Sequence, residues 1–459
     1  MLPKEFLDRM QGLLGEEFPA FKSSFEREPY KALRVNTEKI SVEDFLRICP
    51  FTLKRVPWTE NGFYYEAEAQ PGRHPFHEAG LYYIQEPSAM APAVFMEVKP
   101  GERILDLCAA PGGKTTQLAA MMEGEGILIS NEIHPARAKI LSENVERMGL
   151  HNTVVTNETP DKLAEKFSGY FDRILVDAPC SGEGMFRKNE EAAAEWSPEN
   201  VRLCSQRQDE ILDAAAGMLR PGGRLVYSTC TFAPEEDEGS ISRFLCSHPD
   251  FSVQSVNAPE GFAGGRPDWV THPVPRLENT LRLMPHNIAG EGHYLAVLKK
   301  EGEQDGSFLH HAAGGEEKGL PEREYQDFIS FCAENLLEFP FTGTYLRFGE
   351  QLYLGPTDLP TLKGLKVLRP GLHLGTFKKD RFEPSHALAL ALEKDQVQRH
   401  IDLSVENGEA ARYLNGQTIT YEDGEKGWCL VCVEGYSLGW GKTAGGIVKN
   451  HYPKGLRKG

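Results

Sequence analysis

Arg103-Ile104-Leu105-Asp106-Leu107-Cys108-Ala109-Ala110-Pro111-Gly112-Gly113-Lys114-Thr115 is the stretch that decides the fold. Its first five residues have the short apolar character of a buried strand. Cys108 to Thr115 then form a tight glycine-rich turn that is predicted to open a helix near Thr115. Such a turn lets backbone amides and a helix N-terminus approach a ligand closely. It is not a phosphate loop, because Pro111 precedes Gly112-Gly113 and the earlier glycine of G-x-x-x-x-G-K-[ST] is missing.

Outward from this turn, strands and helices alternate. Gly126 to Ser130 is a second strand, ending at Asn131-Glu132 about 20 residues after the turn, where an acidic group grips a ribose diol in a Rossmann-like fold. Glu132 would also suit the start of the next helix, since acids are favoured there. Asn152 to Thr156, Arg173 to Val176, Arg224 to Tyr227 and Tyr294 to Leu298 are further strands, with helices predicted over Asn189 to Trp196 and Val201 to Leu219. This alternation predicts a parallel sheet with helices on both faces. Cys180 follows Asp177-Ala178-Pro179 and Cys230 follows Ser228-Thr229, so two thiols stand just beyond two strand ends, where ligands of open α/β sheets bind. A single cysteine there would more often be small core packing.

The ordered set Cys108-Ala109-Ala110-Pro111-Gly112-Gly113-Lys114, Asp177-Ala178-Pro179-Cys180-Ser181-Gly182-Glu183-Gly184 and Ser228-Thr229-Cys230-Thr231 resembles the RNA 5-methylcytosine methyltransferases that use S-adenosylmethionine. The resemblance extends to Leu33-Arg34-Val35-Asn36-Thr37, Gln85-Glu86-Pro87-Ser88 and Gly290-Glu291-Gly292-His293-Tyr294. Gly439-Trp440-Gly441-Lys442 and Lys449-Asn450-His451-Tyr452-Pro453 are similar to the bacterial ribosomal members. It implies an α/β fold: a Rossmann-like class I methyltransferase sheet, a small N-terminal α+β domain, and a C-terminal RNA-binding region ending in a small β, PUA-like domain. It implies Cys230 as the nucleophile at cytosine carbon 6, Cys180 as its helper when the adduct breaks, and Asp177 on the Watson–Crick edge and protonating the ring nitrogen. Cytosine carbon 5 is too weak a nucleophile without such a thiolate. S-adenosylmethionine is expected against Cys108, Ala109, Ala110, Pro111, Gly112, Gly113 and Lys114, with Glu132 on the ribose, Arg137 assisting and Asp177 bordering the pocket. The family's adenine-contacting aspartate is absent, and Thr159 stands in its place.

Residues 1–75 are expected to form the accessory α+β unit, with helices over Pro3 to Leu14 and Ser41 to Ile48. Residues 76–300 form the methyltransferase domain, 301–319 a linker, 320–385 an accessory α+β unit and 386–459 the PUA-like domain. The 459 residues have room for several cores. No apolar run could span a bilayer and no signal peptide opens the chain, so a cytoplasmic, membrane-free protein is expected. Nine thinly spread cysteines point to reduced thiols, and Cys429 and Cys432 have knuckle spacing without a second pair, so no metal is expected. The net charge of −17 sets long-range steering but not local contacts. Lys442, Lys449, Lys454, Arg457 and Lys458 form an acid-free tail suited to phosphates, or merely a solvated one; Lys188 is either an RNA contact or a solvated helix start. The expected partner is ribosomal RNA or the small subunit, met by a monomer. Transfer RNA is the alternative substrate, and a non-catalytic ribosome assembly factor the alternative class.

Overall fold

The computed structural model describes residues 2–302, 312–379, 381–421 and 425–457. Its centre is a mostly parallel sheet. The strands are β1 (Arg103–Asp106), β2 (Ile127–Asn131), β3 (Thr153–Thr156), β4 (Phe171–Asp177), β5 (Leu219–Thr229), β6 (Leu281–Leu283) and β7 (His293–Lys300). They lie in the order β6-β7-β5-β4-β1-β2-β3, with β5, β4, β1, β2 and β3 parallel and β7 antiparallel to β5. Ile104, Leu105, Leu128, Ile129, Ile174, Leu175, Leu225 and Val226 are wholly buried because helices cover both faces, which is why these strands are continuous apolar runs. Each such side chain contributes about 1.5–3 kcal/mol by leaving water.

The helices that matter for the site are α1 (Gly113–Met122), α2 (Pro135–Arg147) and α3 (Pro198–Met218). Gly112, at φ 113°, supplies the left-handed turn into α1. That helix begins two residues earlier than the sequence suggested, so Gly113 and Lys114 belong to its first turn. The order of strands reverses at β1, between β4 and β2, and the crevice beyond the carboxyl ends of those strands is the ligand position of such folds.

The N-terminal unit is an antiparallel sheet ordered Leu53–Arg55, Gly62–Tyr65, Ala32–Val35, Tyr82–Ile84, so its last strand comes from beyond residue 75. Ser41 caps the helix Val42–Ile48 by accepting from the Asp44 amide. The first helix, Lys4–Leu14, buries Phe6, Met10 and Leu14 against Phe186, Trp196 and Phe232 of the central domain.

At the C-terminal side a four-stranded antiparallel sheet packs on the helix Gln326–Asn335. A five-stranded sheet, ordered His400–Leu403, Gly427–Val433, Tyr436–Ala444, Ile447–Asn450 and Ile419–Thr420, follows. Segment 320–385 does not stand apart. Its strand Val367–Arg369 pairs antiparallel with β3 and extends the central sheet, and Arg369 ion-pairs with Glu146 on α2. Cys429 and Cys432 are buried inside Gly427–Val433, their thiols pushed up by burial.

Candidate active site

The carboxyl ends of β1, β2, β4 and β5 converge on one cleft. Residues 107–113 loop along it and are held from α2 and from the N-terminal sheet. Arg137 on α2 donates to the Ala110 carbonyl at 2.8 Å, and Asn144 to Pro111 at 2.9 Å. Arg34, wholly buried on the N-terminal sheet, donates to the Gly113 carbonyl at 3.0 Å, to Thr116 Oγ1 at 2.7 Å and to Gln85 Oε1 at 3.0 Å. The Leu33-Arg34-Val35 motif therefore braces the loop from behind and is closed to RNA. Burial pulls the Arg34 guanidinium down to about 9.

Glu132, at the end of β2, is 3 % exposed. One carboxylate oxygen accepts the His134 amide at 2.8 Å, and the other lies 3.6 Å from Arg137. This carboxylate has lone pairs left for a diol. Asp106, at the end of β1, accepts from Thr115 Oγ1 at 2.6 Å, and its Oδ1 has no hydrogen-bond partner among the described residues. Burial pushes the Asp106 carboxyl up to about 7. Burial likewise pushes the Cys108 thiol up, with Asp106, Asp177 and Glu132 adding to it, so Cys108 is a neutral lining group. Thr159 is exposed and caps the helix Pro160–Lys166, its hydroxyl accepting the Lys162 amide at 3.4 Å.

Asp177, at the end of β4, accepts from Lys114 Nζ at 2.7 Å and from Ser228 Oγ at 2.7 Å. Burial pushes its carboxyl up, but Lys114 and His293 outweigh this and hold it below the usual carboxylate range. Asp177 is thus a carboxylate anion, where the sequence suggested a general acid. Lys114 also faces burial, which Asp177 overcomes, so its ammonium is retained. Cys180 Sγ lies 3.3 Å from Cys230 Sγ. The hydrogen bond to Cys230 and then burial push the Cys180 thiol up, keeping it protonated. Gly184, which donates to the Cys230 carbonyl at 2.8 Å, leaves no room for a side chain: a Cβ would stand 3.0 Å from that oxygen.

Lys188 stands beside a buried acid. Its Nζ lies 3.7 Å from buried Glu291, which Arg187 grips at 2.8 Å. Arg457 donates to the Tyr452 carbonyl at 3.2 Å, and its guanidinium lies against Gly416, so it holds the chain end together. Lys442, Lys449 and Lys454 are exposed, and Lys442 faces Lys449 across adjacent strands. Lys458 lies outside the described residues. Among the described residues no group of acidic, His or Cys side chains could hold a metal, and no helix is long and apolar enough to cross a membrane.

The sequence reading missed Asn131, Ser88, Glu86 and His293. Asn131 ties the loop to β3 through Leu107, Thr156 and Glu158. Ser88 bonds Glu86 and, at 2.9 Å, His293, which burial draws down to about 4. Three of the four lay inside motifs already quoted for the family resemblance.

Known proteins match along the whole chain. Residues 93–299 match the family model 16S rRNA methyltransferase RsmB/F. Ribosomal RNA small subunit methyltransferase F of Vibrio vulnificus strain YJ016 is 32 % identical over 99 % of this chain and 97 % of its own. The chain belongs to the RsmB/F family. Residues 2–87, 330–392 and 400–458 match the RsmF N-terminal domain, the first RsmF C-terminal domain and the RsmF PUA domain. The same-named protein of Shewanella oneidensis is 33 % identical over 97 % of this chain and 96 % of its own. A solved methyltransferase homologue from Pyrococcus horikoshii, 32 % identical, covers 65 % of this chain and 95 % of its own at a TM-score of 0.58. The RsmB/F match covers the central sheet, and the PUA match covers the final β domain.

Proposed function

We propose that this RsmB/F member is an S-adenosylmethionine-dependent RNA cytosine-5 methyltransferase that acts in the cytoplasm on small-subunit ribosomal RNA through a covalent adduct. The observation that carries this reading is the pair of sulfurs, 3.3 Å apart at the ends of neighbouring strands beside the Asp177–Lys114 pair. A single nucleophile would need no second thiol at that distance. The relatives' name, ribosomal RNA small subunit methyltransferase F, supports the substrate class.

The residues fit the cofactor. Glu132 keeps acceptor capacity for ribose hydroxyls, Asp106 offers an unpartnered buried oxygen, and Cys108 to Gly113 form a braced wall. Thr159, engaged as the cap of helix Pro160–Lys166, would be the residue offered to the adenine. When bound there, S-adenosylmethionine supplies an electrophilic methyl group for carbon 5. Cys230 attacks cytosine carbon 6 as a thiolate, forming the carbon–sulfur bond and moving the ring electrons toward carbon 5. Asp177, as an anion, accepts a hydrogen bond from the 4-amino group. The Lys114 ammonium beside it supplies the proton that the ring nitrogen takes up, and recovers it at the end. Once carbon 5 carries the methyl group, its hydrogen leaves as a proton to water, the carbon 5–carbon 6 double bond re-forms and the Cys230 sulfur departs. Cys180, still a thiol, hydrogen-bonds that departing thiolate.

The target base has to be unpaired or turned out of its stack to reach this cleft. Lys442 and Lys449 face each other as like charges across adjacent strands, an arrangement that costs stability unless an anion lies between them. With Lys454 they are the proposed phosphate contacts of the PUA domain, the enzyme working as a monomer. The test uses purified enzyme, methyl-labelled cofactor, and small-subunit rRNA or transfer RNA. Cys230→Ala should give neither 5-methylcytidine nor a gel-shifted protein–RNA band, whereas Cys180→Ala should accumulate that band. Label in another nucleoside, transfer to transfer RNA alone, or equal crosslinking by both variants would overturn the corresponding part.

A further inference from the structure

Next to the two sulfurs in sequence lies a buried polar chain. Ser181 directly follows Cys180, and Thr231 directly follows Cys230. Their hydroxyls meet at 2.8 Å. The Ser181 amide donates to Glu236 Oε2 at 2.9 Å, and the Ser181 hydroxyl donates to Glu236 Oε1. Gln208 on α3 donates both to Glu236 at 2.8 Å and to the Pro179 carbonyl at 3.1 Å. On either side of Cys180, Pro179 is thus held by Gln208 and Ser181 by Glu236, and these two side chains bond each other. Ser181 is nearly closed to solvent, and Thr231, Glu236 and Gln208 wholly so.

The direction of the protons follows from the donors available. Burial pushes the Glu236 carboxyl up to about 7; when it is ionised, the Ser181 hydroxyl gives its hydrogen to the carboxylate and its oxygen accepts from Thr231. Thr231 in turn accepts the Ala233 amide at 3.3 Å. Glu236 receives three donors and is the terminal acceptor of the whole chain. A serine and a threonine in a plain core would not need this, because each could cap its own backbone locally. Here the hydroxyls are spent on one another, across two loops that come from different strands.

We infer that Ser181, Thr231 and Glu236, with Gln208, are positioning residues that lock the Cys180 loop to the Cys230 loop and so hold the two sulfurs in contact. All four are buried. They act through the cysteines, and because they tie the pair together their loss should separate the two halves of the reaction. Adduct formation needs only Cys230. Adduct release needs Cys180 at its side, and a displacement of about 1 Å costs on the order of a hundredfold in a step that depends on such alignment.

This inference rests on the cysteine roles proposed above, and its test keeps the two apart. Thr231→Val preserves shape and removes the hydroxyl. Expected is a covalent protein–RNA band carrying methylated cytosine, as for Cys180→Ala, with the single-turnover rate of adduct formation within about twofold of wild type and release slowed about tenfold or more. Thr231→Ser should restore release. A second reading needs no RNA: phenylarsine oxide bridges two thiols only when both can reach one arsenic. Its affinity should fall about tenfold in Thr231→Val and Ser181→Ala, and recover in Thr231→Ser. If Thr231→Val slows formation and release equally, or leaves both the release rate and arsenical binding unchanged, the lock is refuted. If Cys180→Ala itself accumulates no adduct, the cysteine roles fail instead, and the arsenical measurement still decides whether the hydroxyl bridge holds the sulfurs together.

Discussion

Lys114→Met should change stability in a pH-dependent way that exposes the charge state of Asp177. In the native protein the Asp177 carboxylate has two donors, Lys114 Nζ and Ser228 Oγ, both at 2.7 Å, and its side chain is 30 % open to the cleft. Removing the ammonium leaves a largely enclosed anion with one neutral donor. Breaking such a pair costs about 3–5 kcal/mol when burial is complete, and the cleft's water places this site at the lower end, about 3 kcal/mol. The sign with pH follows from linkage. With Lys114 present the folded carboxyl lies below its unfolded value of about 3.9, so its contribution is held at neutral pH and lost only as pH falls through the folded value. With Lys114 gone, burial dominates and the folded carboxyl lies above about 3.9; stability is then kept in acid and lost as pH rises through that higher value. The gap between wild type and variant should be near its full size at about pH 8 and narrow toward about pH 4. Urea unfolding read by amide exchange in β4 and β5 measures it. Lys114→Met/Asp177→Asn should recover most of the loss at the higher pH. A gap equal at both pH values, or a double variant no more stable than the single one, would show that Asp177 does not carry the charge assigned to it.

Glu132→Ala should weaken S-adenosylmethionine binding, since each charge-assisted hydrogen bond removed is worth about 1.5–3 kcal/mol, while RNA affinity stays unchanged; calorimetry with each ligand separates the two. Replacing Lys442 and Lys449 by Glu should lower RNA affinity and flatten its salt dependence by about one unit of log–log slope for each phosphate no longer neutralised, with the melting temperature preserved. Arg457→Glu should instead lower the melting temperature, because its guanidinium is engaged with the Tyr452 carbonyl and Gly416. An Arg457 variant that melts like wild type but loses a unit of slope would reverse that assignment.

The parts of the site legible in the sequence are those in which chemistry and position travel together in one short segment. Cys108 to Lys114 announce a turn, Glu132 marks a strand end, and Asp177, Cys180 and Cys230 each terminate an apolar run. The parts that were not legible depend on partners distant in the chain. Arg34 looks like a free cation until Gly113 and Thr116 are seen against it, and Lys188 until Glu291 is. Glu236 sits in an acidic run, Glu235-Glu236-Asp237-Glu238, whose composition gives no sign of burial, yet Glu236, Asp237 and Glu238 are all buried. Asp237 and Glu238 are there because Arg282 meets them across the fold. Strand Val367–Arg369 was invisible as a member of the central sheet, since three residues in a Gly- and Pro-punctuated stretch carry no periodicity.

That strand also orders events in the life of the chain. During synthesis β3 emerges early, and its outer edge stays bare until residue 369 has left the ribosome, well after β7 has closed the opposite side. An unpaired edge in a growing chain is a template for pairing with a neighbouring polypeptide. The exposure should be greatest when several copies are translated from one message. A fragment ending near residue 300 would carry this open edge permanently and should self-associate more than the full-length protein in sedimentation velocity, because Val367–Arg369 is what covers that edge.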